Sequence, residues 1–306
     1  TKGFAHHMSK PLGDFASISL DRLRSLTSRA LVAHGLAHDA ASTIAGVVAD
    51  AERDGAKSHG LFRVPGFAFA LRRWRESANS PVVRDTAPGL VSVDARGGFA
   101  APALEAGKAL LVAKARSQGV AALEIHRTRH FSALWWEVEA LASEGLVALA
   151  FVNSAAFVAH AGGRGNRVYG TNPMAFGCPR GDGRPPLVFD QASSALARGE
   201  MQLLLREGGQ LPPGAALGPD GSPTLDPATG LAGAQLPLGG PAAAHKGANL
   251  ALMVELLAAG ITRSPFAPQA AEELKGAESP PPNLNGGGPA GKSSSSGEHG
   301  RASRPQ

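Results

Sequence analysis

Ser58, His59 and Arg63 fall within six positions of one another in "AKSHGLFRVPGF", residues 56–67. An imidazole ordinarily titrates near neutrality, so it can give a proton and be recharged within one turnover. A guanidinium offers a planar fork that matches a carboxylate. A serine beside the imidazole can hydrogen-bond it and fix its tautomer. Together these groups could hold a small acid and hand it a proton. If a helix begins near Ser58, His59 and Arg63 lie four residues apart on one face, with Pro65 in its second turn. The same letters also fit a plain helix start, with Ser58 as cap and Arg63 in solvent. The local pattern leaves both readings open.

The elements that must carry these residues follow from periodicity. Residues 18–56 read as two helices, the second capped by Asp39, and "FAFALRRW" as another. Residues 81–100 turn like short strands. "APALEAGKALLVAKARSQG" is a helix with a glycine stop, "VAALEIHR" a strand, "FSALWWEVEALASEG" a helix and "LVALAFVNS" a buried strand. This alternation predicts an α/β lobe. Residues 208–244 read as loop. "HKGANLALMVELLAAGI" is apolar all round and reads as a buried helix.

Composition excludes several classes. The chain has 306 residues, 43% of them apolar, enough for one large domain or two to three lobes. Its net charge of +5 is not gathered into a basic patch interleaved with aromatics, which argues against nucleic acid. Mild basicity suits an anionic cofactor or substrate. Cys178 is the single cysteine, so no intrachain disulfide forms, and a reducing, cytoplasmic setting is expected. It reads as a packed small residue. The longest apolar run is interrupted at Asn153 and Ser154 and is too short for a bilayer. His34, His126 and His160 lack metal-ligand spacing, so no metal is expected. "GGGPAGKS", residues 286–293, matches the phosphate-loop pattern, but "PPPNLN" and "SSSGEHG" flank it, and neither supplies the strand or the helix that such a loop needs.

Six stretches occur in order: "SHGLFRVPGF", "RHFSALW", "GLVALAFVNS", "GTNPMAFGCP", "FDQASSALARGE" and "HKGANLALMVELLAAGI". Together, over about residues 17–262, they resemble the malate/L-lactate dehydrogenase family of NAD(P)-dependent oxidoreductases. Within it "HFSALW", "FVNS" and "MAFGCPRG" are most similar to the Δ1-piperideine-2-carboxylate/Δ1-pyrroline-2-carboxylate reductases. The resemblance implies a non-Rossmann α/β fold with a helical N-terminal lobe, an α/β cofactor lobe and a disordered C-terminal tail. The implied division is a loose N-terminus over 1–16, a lobe with substrate and catalytic residues over 17–128, an NAD(P)-binding lobe over 129–262, and a low-complexity tail over 263–306.

The resemblance also implies roles. His59 is the proton donor, with Ser58 in a relay behind it. Arg63 grips the substrate carboxylate and Thr171 contacts the same substrate. His130, Phe131, Ser132, Ala133 and Leu134 lie against the cofactor, as do Asp190, Gln191 and Ala192 and the pair His245–Lys246. The acid of the relay is Glu200 or, in competition, Asp190. The cofactor is NADPH, with NADH the other possibility, and the protein is a homodimer acting on a small carboxylated substrate. The implied reaction reduces the C=N bond of a cyclic imino acid to give L-proline or L-pipecolate. Two alternatives stay open: a dehydrogenase of an open-chain 2-hydroxy acid such as malate, lactate or ureidoglycolate, and an inactive remnant. Three features depart from the family pattern. Residues 241–244, "PAAA", separate Gly239–Gly240 from "HKG"; Arg129 stands where relatives often have histidine or a small polar residue; and low-complexity sequence follows the last helix.

Overall fold

A computed structural model describes residues 17–275, Arg164 excepted. The expected loose segment 1–16 and the phosphate-loop-like stretch 286–293 lie outside the described residues.

Helix α1 (Leu20–Ala33) starts where Ser19 Oγ accepts from Arg22 N at 3.2 Å, and it buries Leu23, Thr27 and Leu31, four residues apart. Helix α2 (His38–Arg53) begins two residues earlier than the Asp39 cap predicts. Ala37 is its N-cap, and Asp39 sits in the first turn, where a carboxylate faces the positive end of the helix. Ile44 and Val48 of α2 pack with Leu31, and with Phe67, Ala70 and Leu71 of α3 (Val64–Arg73).

The helix expected to start near Ser58 is instead two 3-10 turns, Lys57–His59 and Leu61–Arg63, ahead of α3. Gly60 breaks the run at φ −85°, ψ −141°. Glu52 fixes the break: its Oε1 accepts from Leu61 N at 2.7 Å, and its side chain fills the space a Cβ on residue 60 would need. His59 and Arg63 therefore project from separate turns.

Strands β1 (Val82–Ala87) and β2 (Leu90–Asp94) pair antiparallel; after α4 (Ala100–Gln118) the chain returns as β3 (Ala122–His126), parallel to β2. Gly107 lets α4 settle on this sheet, since a Cβ there would lie 2.8 Å from Val93 Cγ2. The predicted glycine stop is Gly119, at φ 81°.

Next come α5 (Leu134–Ser143), β4 (Ala148–Phe151), β5 (Val158–Ala159), β6 (Arg167–Tyr169), β7 (Met174–Cys178) and β8 (Leu187–Gln191). The strands β4-β7-β8 form an antiparallel sheet under α5, whose Val138 is fully buried. Helix α6 (Arg198–Glu207) follows. The expected loop 208–244 holds β9 (Ala216–Leu217), β10 (Pro223–Thr224), α7 (Pro227–Ala232) and β11 (Ala234–Gln235). With β5 and β6 these strands make a sheet in the order β10-β9-β11-β5-β6. Two-residue strands in Gly/Pro-rich sequence carry no alternation to read, so main-chain pairing alone reveals them.

Helix α8 (Gly240–Glu255) runs on through a π turn, Leu256–Gly260, and α9 (Ala267–Lys275) closes the described chain. Three expectations change here. "HKGANLALMVELLAAGI" is not buried all round: Ala248, Ala251 and Val254 are buried, but Leu252, Met253 and Leu256 are exposed. "LVALAFVNS" is not a buried strand either, because Val147 and Leu149 face solvent. The low-complexity tail does not begin at Arg263, since α9 buries Ala267 and Ala270 and Ala267 N donates to Glu255 Oε1. Among the described residues no helix is long and apolar enough to cross a membrane.

At the expected lobe boundary near 128–129 the chain is tied across. Ala100 N donates to His130 O at 3.0 Å and Arg129 N to Gly98 O at 2.8 Å. The Arg129 guanidinium lies 4.4 Å from the centre of the Trp74 ring and pairs with Glu76. The Phe67 ring meets Phe99 edge-on at 5.3 Å and His130 at 4.9 Å. Phe67 is one helical turn past Arg63, so one aromatic cluster joins the helical layer to the loop that carries His130. Phe67→Ala is expected to lower unfolding free energy by about 3–5 kcal/mol, read from the denaturant midpoint; an unchanged midpoint would show that the cluster holds nothing together.

Candidate active site

The two 3-10 turns fold the guanidinium of Arg63 back under Ser58. Arg63 Nε donates to the Ser58 carbonyl at 2.6 Å, and Ser58 Oγ is hydrogen-bonded to His59 Nδ1 at 3.1 Å. Arg63 is only 1% exposed and Ser58 is buried. Gly199, second residue of α6, closes the back of the group: a Cβ there would strike Arg63 Nη2 and stand 3.1 Å from Ser58 Cβ. In "ARGE" the letters draw attention to Glu200, one of the two relay acids that the resemblance implies, but it is Gly199 whose lack of a side chain makes the approach possible.

The electrostatics are set by burial. Arg63 is pushed down to about 10 by burial, so it keeps its charge at neutral pH. Burial first, and the neighbouring Arg63 second, lower His59 to about 3. His130 is held well below its usual value by burial and by the nearby Arg63 and His59. Three nitrogen-bearing side chains thus share one electrostatic neighbourhood, with the charge on the guanidinium and both imidazoles neutral. The ordinary imidazole pKa does not apply to His59.

His130, Phe131, Ala133 and Leu134 are buried and Ser132 is partly so. His130, Phe131 and Leu134 line a cavity of about 1170 Å³. Among the described residues His130 Nε2 has no hydrogen-bond partner, although it is buried. A polar atom in that condition fits a bound group that supplies its partner. Thr171 N donates to Ser154 Oγ at 3.2 Å, and Ser154 lines the same cavity. Asn172 braces the turn, donating to Ala251 O at 2.9 Å and to Glu255 Oε2 at 2.6 Å.

Neither candidate relay acid is brought to Ser58: among the described residues no hydrogen bond joins it to Glu200 or Asp190. Glu200 is exposed and its Oε2 accepts from Ala197 N at 3.2 Å, at the start of its own helix. Asp190 accepts from Trp135 N at 3.1 Å and also from Leu134 N, so it caps α5 from across the sheet. Both carboxylates satisfy free N–H groups of helix starts. Burial raises Asp190, and burial together with Asp190 pushes Glu137 up to about 8. Gln191 ends β8 and Ala192 follows it. His245 and Lys246 are exposed and not at a helix start, because "PAAA" makes the first turn of α8. With Pro241 at its start and no breaker after it, that insertion extends the helix, leaving a kink at Ala243 (φ −130°). Cys178 is half-buried at the end of β7. No cluster of three metal-ligating side chains occurs among the described residues.

A buried Ser–His–Arg group behind a glycine contact, beside a cavity walled by the "HFSAL" loop, is an arrangement with known counterparts. The model of the malate/L-lactate dehydrogenase family matches residues 18–288, and the chain belongs to that family. It is therefore an NAD(P)H-dependent oxidoreductase, with the family's α/β fold. Over 251 residues it is 48% identical to the Δ1-pyrroline-2-carboxylate/Δ1-piperideine-2-carboxylate reductase of Pseudomonas putida, the match spanning 81% of this chain and 72% of that protein. The protein of the same name from Pseudomonas syringae pv. tomato is 47% identical over 264 residues, 86% of this chain and 74% of that protein. The crystal structure of Δ1-piperideine-2-carboxylate reductase from that organism aligns with a TM-score of 0.80 at 45% identity, over 89% of this chain and 80% of that one. Malate dehydrogenase from Entamoeba histolytica aligns with a TM-score of 0.79 at 22% identity, over 86% of this chain and 75% of that one, and so shares the fold.

Two outcomes follow from this geometry. His59 and His130 titrate lower in the folded chain than the value near 6.5 of an unfolded histidine. The stability they confer is complete above that pH and drains away as pH falls toward about 3. His130→Gln should flatten that acid limb in a denaturation series; an identical limb would contradict the burial argument. Gly199→Ala should displace Arg63 and Ser58 and cut kcat/KM by on the order of 100-fold, with cofactor affinity preserved.

Proposed function

We propose that this protein reduces cyclic imino acids, Δ1-pyrroline-2-carboxylate and Δ1-piperideine-2-carboxylate, to L-proline and L-pipecolate, with NADPH as reductant. The observation that carries the reading is a charged, buried guanidinium hydrogen-bonded beneath a neutral serine-bound imidazole. The names of the relatives at 47–48% identity support the substrate class.

Arg63 takes the substrate carboxylate and so fixes the planar ring. The negative charge offsets the repulsion that Arg63 exerts on His59, and the imidazole then takes up a proton. His59 passes that proton to the ring nitrogen as the C=N bond is reduced, while Ser58 holds the imidazole through Nδ1. The bound nicotinamide supplies the hydride that reaches the neighbouring ring carbon. His130, Phe131, Ser132, Ala133 and Leu134, with Asp190, Gln191 and Ala192, form the face that receives the cofactor; the unpartnered His130 Nε2 supports this assignment. Thr171 bears on the substrate and His245–Lys246 on the cofactor's outer part. Glu200 and Asp190 act through the helices they cap, Glu200 keeping Gly199 of α6 against Ser58. Substrate grip and proton delivery thus belong to residues 17–128 and cofactor binding to 129–262. The exposed apolar row Leu252, Met253 and Leu256 supports a homodimer.

Turnover of each imine, pyruvate and oxaloacetate, with NADPH and with NADH, tests the proposal. Consumption of the oxo acids alone would replace it with the 2-hydroxy-acid reading, and no turnover with any substrate would favour a non-catalytic chain. His59→Ala should lower kcat by about 10²–10⁴-fold with NADPH affinity intact. Calorimetry in buffers of different ionisation heat should register net proton uptake when an unreactive carboxylate analogue binds; no uptake would refute the coupling between Arg63 and His59.

A further inference from the structure

Thr171 and Asn172, the middle of "GTNP", form a turn that is held from three sides. Thr171 N donates to Ser154 Oγ at 3.2 Å, and Ser154 N donates to Asn172 Oδ1 at 3.3 Å. Ser193 N donates to Thr171 O at 2.8 Å, and Ser193 Oγ to Asn172 O at 2.6 Å. On the third side Asn172 Nδ2 donates to Ala251 O and to Glu255 Oε2, which lie four residues apart on α8. Gly170 makes room for this, since a Cβ there would stand 2.4 Å from both Asn172 Oδ1 and Ser154 Oγ. Asn172 is wholly buried at φ +37°, in a backbone region that asparagine enters more readily than most side chains.

Glu255 is the costly member of this group. It is only 4% exposed, at the junction of α8 with the π turn. A buried carboxylate persists only where donors replace its water. Burial raises its pKa, and hydrogen bonds from Asn172, from Ala267 N and from Asn153 draw it back. Its two oxygens divide the work: Oε2 holds Asn172, while Oε1 accepts from Ala267 N at the start of α9. One polar group stays free. Among the described residues the Thr171 hydroxyl makes no hydrogen bond, although every clamp around it fixes the main chain that aims it.

We propose that Glu255 is a positioning residue for the reduction, holding Asn172 so that the Thr171 hydroxyl is aimed at the substrate, an assignment that rests on the contact proposed above between Thr171 and the substrate. Ser193 ties the same turn to the cofactor side, because it directly follows the segment Asp190–Ala192. The competing role for Glu255 is to anchor α9 through Ala267 N and nothing more. That role predicts lost stability without a selective loss at the substrate.

The test uses the full chain and two ligands: pyrrole-2-carboxylate, a planar and unreactive ring acid, followed by calorimetry, and NADPH, followed by fluorescence. Thr171→Val removes the hydroxyl and should weaken the ring acid by about tenfold, with kcat/KM for the imines falling at least as far. Glu255→Leu, which leaves Asn172 no side-chain acceptor on α8, should produce about the same tenfold loss. Glu255→Gln, which turns an N–H toward one of the two donors, should produce a smaller one. NADPH affinity should hold in all three. In the Thr171→Val background neither Glu255 substitution should weaken the ring acid further, because both act through the same hydroxyl. Additive losses would overturn the proposal, as would Glu255 variants that bind the ring acid like the parent or lose NADPH in step with it. If Glu255→Leu does not fold, the Gln variant and its double decide alone. Thr171→Val without effect would instead remove the substrate contact itself, and the role of Glu255 with it. A parent chain that neither binds the ring acid nor reduces the imines would do the same before any variant is made.

Discussion

The Arg63 guanidinium keeps its charge at 1% exposure, and the rest of the site is arranged around that burden. Taking a cation out of water is costly unless hydrogen bonds replace its hydration. The Ser58 carbonyl supplies one such bond because two 3-10 turns bring it back over the side chain. A continuous α-helix would have used that carbonyl for its own ladder. The break at Gly60, held open by Glu52, is therefore part of the electrostatics of the site as well as of its shape.

Burial, and after it the same charge, sets the state of the two imidazoles. Each is buried near a cation, so each is driven neutral. In the proposed reaction a neutral imidazole beside a fixed positive charge takes up its proton only once an anion binds, so that substrate binding and proton delivery become one event. Phe67 and Phe99 keep the His130 loop against this group, while the Arg129–Trp74 stack and the Glu76 pair hold its other side. The family departure at Arg129 is thus accommodated structurally, by an aromatic face and a carboxylate.

Much of this was legible in the residues. The helices α1, α4 and α5 and the strand β3 follow their periodicities, and the order of motifs pointed to the family that the comparisons show. Three features of the structure lie outside what the letters carry. The resemblance implies Glu200 or Asp190 as the relay acid, and in the structure each carboxylate fills a vacancy at a helix start. Gly199 escaped notice because a glycine's contribution is room for something else. The strand "LVALAFVNS" read as buried because its composition is apolar, but exposure depends on whether a neighbouring strand is present.

By itself the sequence determined which side chains could carry chemistry, where most helices and strands run, and which family the chain joins, because residue type and spacing are local and periodic. Only the tertiary structure decided the protonation state of His59, the partners of the two carboxylates and the path of "PAAA" into α8. Each of these turns on burial or on contact between segments far apart in the chain, and neither burial nor contact is a property of any short stretch of letters.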